Sequence, residues 1–159
     1  EHLYRRLVSV ASASDGARVR LGLLAVAFGD RSAADALARD LEPLAGHVVR
    51  DPEPVPAIDH VLALAAATSG RADEAQRWFG RAVELHEAPG APLLAAQARL
   101  DWARLDQAAG EHERATLLAE QVRAAAAGRG ATGLEAQARS LLATLASPTR
   151  GFGEGGGTR

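Results

Sequence analysis

The chain of 159 residues contains no cysteine, methionine, lysine or asparagine, so all 18 of its Lys/Arg-type basic residues are arginine. The missing cysteine excludes disulfides, thiolate nucleophiles and sulfur-ligated metals, and it fits a reducing cytoplasm. Without lysine there is no Gly-x-x-x-x-Gly-Lys-Ser/Thr loop, and hence no phosphate cradle of that kind. Aromatics make up only 4% of the chain and β-branched residues are few, so strands are not expected. No apolar run approaches the ~20 residues of a membrane span, and no signal-peptide pattern opens the chain. The formal net charge is −2, whereas a nucleic-acid surface normally carries a basic excess. The arginine-for-lysine bias suits a GC-rich coding sequence better than any functional demand. Because Glu1-His2-Leu3-Tyr4 already has the look of helix interior, the chain is expected to be a piece of a longer protein.

What is present is alanine, leucine and a regular punctuation of glycine, with 47% hydrophobic residues, enough to bury a core. The pairs Gly29/Ala34, Gly70/Ala75 and Gly110/Ala115 recur at intervals of 41 (70 − 29) and 40 (110 − 70) residues. Residues 90–99, GAPLLAAQAR, and 130–139, ATGLEAQAR after a glycine, align at the same period of 40. Self-similarity at this length is the signature of a helical repeat array.

Within one period the pattern resolves into two helices. Ile58, Val61, Leu62 and Ala65 share one helical face; Gly70 ends that helix, and Asp73 and Glu74 fall in the first turn of the next. Ala75, Trp78, Phe79, Ala82 and Val83 then face the partner. The following unit opens near Pro92, with Leu94, Ala98, Trp102 and Leu105 as its expected inward stripe, turns at Gly110, and continues with Ala115, Leu118, Ala119 and Val122. An earlier pair surrounds Gly29, with Asp30 and Ser32 as capping candidates. The expectation is an all-α fold of antiparallel helix hairpins, stacked in a right-handed superhelix. Hairpins span about 17–45, 57–87 and 91–127, and a capping helix over 133–146, with Ala138, Leu141, Leu142 and Leu145 inward, completes a repeat domain of residues 1–146. Residues 1–12 suit the last helix of a preceding repeat, three prolines between Gly46 and Pro56 make an extended connector, and the Gly-rich 147–159 suits a flexible linker.

These features resemble the tetratricopeptide pattern: glycine at the turn, alanine five on, a large apolar residue four later and a small one three further, as in Gly70, Ala75, Phe79 and Ala82. The period of about forty exceeds the 34 of the standard repeat. The stretches 21–49 and 60–111 resemble more specifically the repeat region of large bacterial LuxR-type and cyclase-linked AAA (STAND) ATPases, in which such a region follows a nucleotide-binding module and often precedes a helix-turn-helix. The resemblance covers roughly residues 17–145. It implies a cytoplasmic, non-catalytic sensor or protein-interaction region, while the chain's own residues carry neither the P-loop nor a recognisable helix-turn-helix.

In arrays of this type the first helix of each pair lines the concave face, which by register presents His60, Leu64 and Thr68, then Gln97, Arg104 and Gln107, then Gln137 and Ser140. Their amide, guanidinium and imidazole groups suit a peptide or polar ligand; ordinary solvated helix surface is the plain alternative. His2, His47, His60, His86 and His112 show no i, i+4 pairing and no ligand spacing, so they are expected on helix surfaces and no metal or cofactor is expected. No nucleophile, base and orienting acid are spaced as a triad, and no enzymatic activity is expected. Expected partners are a protein or peptide, or flanking domains of the parent, with no direct contact to nucleic acid or membrane. Two other classes stay open: a structural spacer that self-associates through an uncapped end, and a domain that binds a small-molecule inducer.

Overall fold

The computed structural model describes residues 15–48, 55–88 and 90–147, and among them every regular element is helical. Helix α1 spans Asp15–Ala27, α2 Arg31–Leu41 with a single 3-10 turn at Glu42–Leu44, α3 Ile58–Thr68, α4 Ala72–Glu87, α5 Pro92–Ala109, α6 His112–Ala127 and α7 Thr132–Ala146. The expectations for residues 1–12, for most of the proline connector and for the glycine tail lie outside the described residues.

One turn recurs five times. Gly29, Gly70, Gly90, Gly110 and Gly130 all adopt positive φ. At each, the glycine N–H donates to the carbonyl three residues back, and the next N–H donates to the carbonyl five back. This Schellman geometry satisfies the last carbonyls of a helix, and only glycine enters the left-handed region without a Cβ penalty. The residue after each glycine, Asp30, Arg71, Ala91, Glu111 or Ala131, is already the N-cap of the next helix. Asp30, not Ser32, takes the cap, its Oδ1 accepting from the Ala33 N–H at 3.0 Å. The alanines five residues after four of these glycines, Ala34, Ala75, Ala95 and Ala115, are at most 1% exposed. A methyl at that position lets the helix close against the one before it. Nothing lies within 4 Å of a Cβ added at Gly110, so Gly110→Ala isolates the conformational cost. Urea denaturation is expected to show a loss of about 1–2 kcal/mol for Gly110→Ala and less for Gly110→Asn.

Each helix from α3 onward packs on its chain neighbours; α3 also touches α1, α2 and α5, and α5 also touches α7. Position in the stack decides what is buried. Helix α3, apolar almost all round, buries eight residues from Ile58 to Ala66. Helix α5 departs from the expected stripe: Ala95, Ala96, Ala98, Leu100, Ala103 and Asp106 are buried, whereas Leu94, Trp102 and Leu105 are half-buried. With neighbours on several sides α5 buries a wide arc, and its alanines mark the closest approaches. Ala96, Leu100, Leu118, Val122, Ala138 and Leu141 knit α5, α6 and α7 into one cluster; Val19, Leu41, Ile58 and Val61 do so for α1, α2 and α3.

Candidate functional site

Asp101, on α5, is the centre of a polar network that crosses three helices. Its Oδ2 lies 3.1 Å from His60 Nε2 of α3. Gln97 Nε2 donates to both carboxylate oxygens at 3.3 Å, and Arg104 Nη1 donates to Oδ1 at 2.9 Å. Arg104 Nη2 then reaches α7, donating to Gln137 Oε1 at 2.9 Å. Spacings of four and three residues put Gln97, Asp101 and Arg104 on one face of α5. An ionised carboxylate only accepts, so the His60 Nε2 facing it carries a proton. The His60 Nδ1 is buried without a partner among the described residues.

Four of the eight residues expected on the binding face, His60, Gln97, Arg104 and Gln137, are thus joined, and their hub is a residue the sequence did not single out. His60 itself is 2% exposed, because α3 is enclosed by its neighbours, and it reaches the strip only through Asp101. Leu64 packs beside Phe79, and the Thr68 hydroxyl donates to the Leu64 carbonyl at 2.8 Å. Gln107 is half-buried and Ser140 exposed; among the described residues neither side chain joins the network.

The expectation of surface histidines holds for His47 and His112 and fails for two others; His2 is outside the described residues. His86 is 0% exposed and His60 2%, with their ring centroids 6.2 Å apart. The Ala57 N–H at the start of α3 donates to His86 Nε2 at 3.3 Å, so neutral His86 carries its proton on Nδ1. Burial, and then the nearby His60, push the His86 pKa down from 6.5 to about 4. The unfolded chain takes up this proton near pH 6.5 and the folded chain only near 4. Stability is therefore complete above pH 6.5 and falls as the pH drops toward 4, by roughly 3 kcal/mol across the window. Chemical denaturation at a series of pH values should show this slope, and His86→Gln should flatten it.

Two more buried acids hold the fold. Asp106, 0% exposed, takes two bonds of 2.6 Å from Arg114 across the α5–α6 turn. Asp59, also 0% exposed, accepts from the Gly46 N–H at 2.6 Å and pairs with Arg81 at 2.9 Å, fixing the turn after α2 to the start of α3. Among the described residues no three His, Cys, Asp or Glu are grouped as metal ligands. Among the described residues the Gln97 carbonyl, the Gln137 amide nitrogen and the remaining N–H groups of Arg104 carry no side-chain hydrogen bond.

Comparison with known proteins finds no matching family model, no matching curated protein and no matching solved structure.

Proposed function

We propose that this chain is a non-catalytic, tetratricopeptide-like repeat domain that binds an extended protein or peptide segment on the face shared by α3, α5 and α7. The observation that carries the proposal is the strip from His60 through Asp101 and Arg104 to Gln137. It spans successive alternate helices and holds its amide and guanidinium groups in place by their own hydrogen bonds. Side chains fixed in this way lose little further freedom when a segment hydrogen-bonds to them. The five like glycine turns support the repeat architecture. A cytoplasmic bacterial signalling ATPase or LuxR-type regulator is the proposed parent, with the segment bound here favouring one arrangement of it. No helix among the described residues is long and apolar enough to cross a membrane.

The test is selection from a random-peptide display library on the purified chain. Enriched peptides should bind the wild type and lose about tenfold or more in affinity to Gln97→Ala/Arg104→Ala/Gln107→Ala. No enrichment, or peptides indifferent to the triple variant, would remove the proposal.

A second reading, self-association, is favoured by one observation. Leu24 and Phe28, four residues apart on and just beyond α1, are 49% and 84% exposed, so two large apolar side chains at its C-terminal end are uncovered. Sedimentation over a range of concentrations should reveal a dimer that Phe28→Glu dissolves if this reading holds, and a monomer throughout if it does not.

A further inference from the structure

An open pocket of about 390 Å³ lies between α2 and α4, and none of its lining residues belongs to the Asp101 network. Its volume is within the range of small-molecule sites. The floor is apolar, made by Ala38, Leu62 and Trp78. One wall is already neutralised. Arg71 donates from Nε to Glu74 at 2.7 Å and from Nη1 to Asp35 at 2.8 Å. Asp35 also accepts from the Ser69 hydroxyl at 2.7 Å, and that bond and Arg71 hold its carboxyl below the usual range. Trp78 is fixed from its edge and its face, by Glu74 at 3.4 Å from Nε1 and by the Arg81 guanidinium 4.8 Å from the ring centroid.

The remaining lining charges, Arg39 and Glu42, differ from that wall. Among the described residues Arg39 bonds only through Nε, to the Asp35 carbonyl at 3.3 Å, and neither of its terminal nitrogens has a hydrogen-bond partner. Among the described residues neither Arg39 nor Glu42 makes an ion pair, with each other or with any other group. The pocket therefore offers a cation and an anion that are in no ion pair among the described residues, above an apolar floor; the Arg39 charge acts on Asp35 as well, but the Asp35 oxygen is held by Ser69 and Arg71.

We propose that this pocket binds a small zwitterion with an apolar body, the chemistry of a free α-amino acid with a branched aliphatic or aromatic side chain. Its carboxylate lies on Arg39, its ammonium on Glu42 and its side chain over Leu62 and Trp78. A guanidinium suits the carboxylate because two N–H groups can face two oxygens. A ligand lacking either charge leaves one pocket group without its partner, which gives selectivity for the zwitterion.

The test is isothermal titration of the whole chain with L-leucine and L-phenylalanine, with N-acetyl-L-leucine and L-leucinamide as probes that lack one charge. Arg39 and Glu42 are exposed, so Arg39→Gln and Glu42→Gln leave the core intact. Saturable binding of at least one amino acid, on the order of millimolar or tighter, is expected, weakened about tenfold by either variant. N-acetyl-L-leucine should be insensitive to Glu42→Gln, and L-leucinamide to Arg39→Gln. No saturable binding of either amino acid, or binding indifferent to both variants, overturns the assignment. The Gln97/Arg104/Gln107 triple variant should bind amino acids as the wild type does, so this result is independent of peptide binding on the other face.

Discussion

Replacing Phe79 with alanine is expected to lower stability by about 3–5 kcal/mol, a large fraction of what a domain of this size possesses. The ring is 0% exposed. It lies among Ala63, Ala66 and Ala75 of α3 and α4, stacks on Trp102 of α5 at 6.3 Å and 11°, and has the His60 ring 5.9 Å away. The alanine neighbours have no side chain that can swing into the space left behind, so a larger neighbour such as Trp102, His60 or Leu64 would have to move in, or the helices themselves shift. The cost should fall in the upper part of that range for this reason. A urea transition for Phe79→Ala within about 1 kcal/mol of the wild type would mean that the three helices do not meet on this ring.

Arg114→Met is expected to produce the second large loss. Among the described residues Arg114 is the one side-chain partner of both Asp106 oxygens, and truncating it strands a carboxylate that has 0% exposure. Loss of one partner from a buried pair costs about 3–5 kcal/mol. The value here should lie near the lower bound, since Arg114 is itself 39% exposed and water can approach where it stood. Protonation of the carboxylate at low pH removes the stranded charge. The deficit of the variant relative to wild type should accordingly shrink as the pH falls. Arg114→Met/Asp106→Leu should recover most of the loss at neutral pH, because it removes the charge that lacked a partner. A deficit that ignores both pH and the second substitution would show that packing of the arginine stem, not charge, is what Arg114 supplies.

What the sequence conveyed and what it withheld follow from the range of the interactions. Helices and their ends depend on residues a few positions apart, so Gly70 and Gly110 with Ala75 and Ala115 marked the turns, and Phe79 stood out as the large residue between small ones. The same logic applied to Gly90 and Ala95, a copy of the motif offset by half a period, shows that the signal ran further than three pairs. Buried polar residues carried no such local mark. Asp59 and His86 look like helix-surface groups, because charged and polar side chains on helices are usually solvated. Their burial depends on partners 13 and 29 residues away, the Gly46 and Ala57 N–H groups. His60 had a readable warning in the apolar residues all around α3. Asp101 was also within reach, three residues before Arg104 and four after Gln97, but its role as hub needed the relative placement of α3 and α5, 41 residues apart in sequence for His60 and Asp101.

The claim that α3, α5 and α7 present a binding face is tested most directly by backbone-amide NMR of the chain titrated with a library-selected peptide. The account predicts shift changes concentrated at Gln97, Asp101, Arg104 and Gln137, with α1 and the pocket between α2 and α4 unmoved. Changes confined to α1, or to the Arg39–Glu42 pocket, would contradict it and put the recognition surface elsewhere on the array.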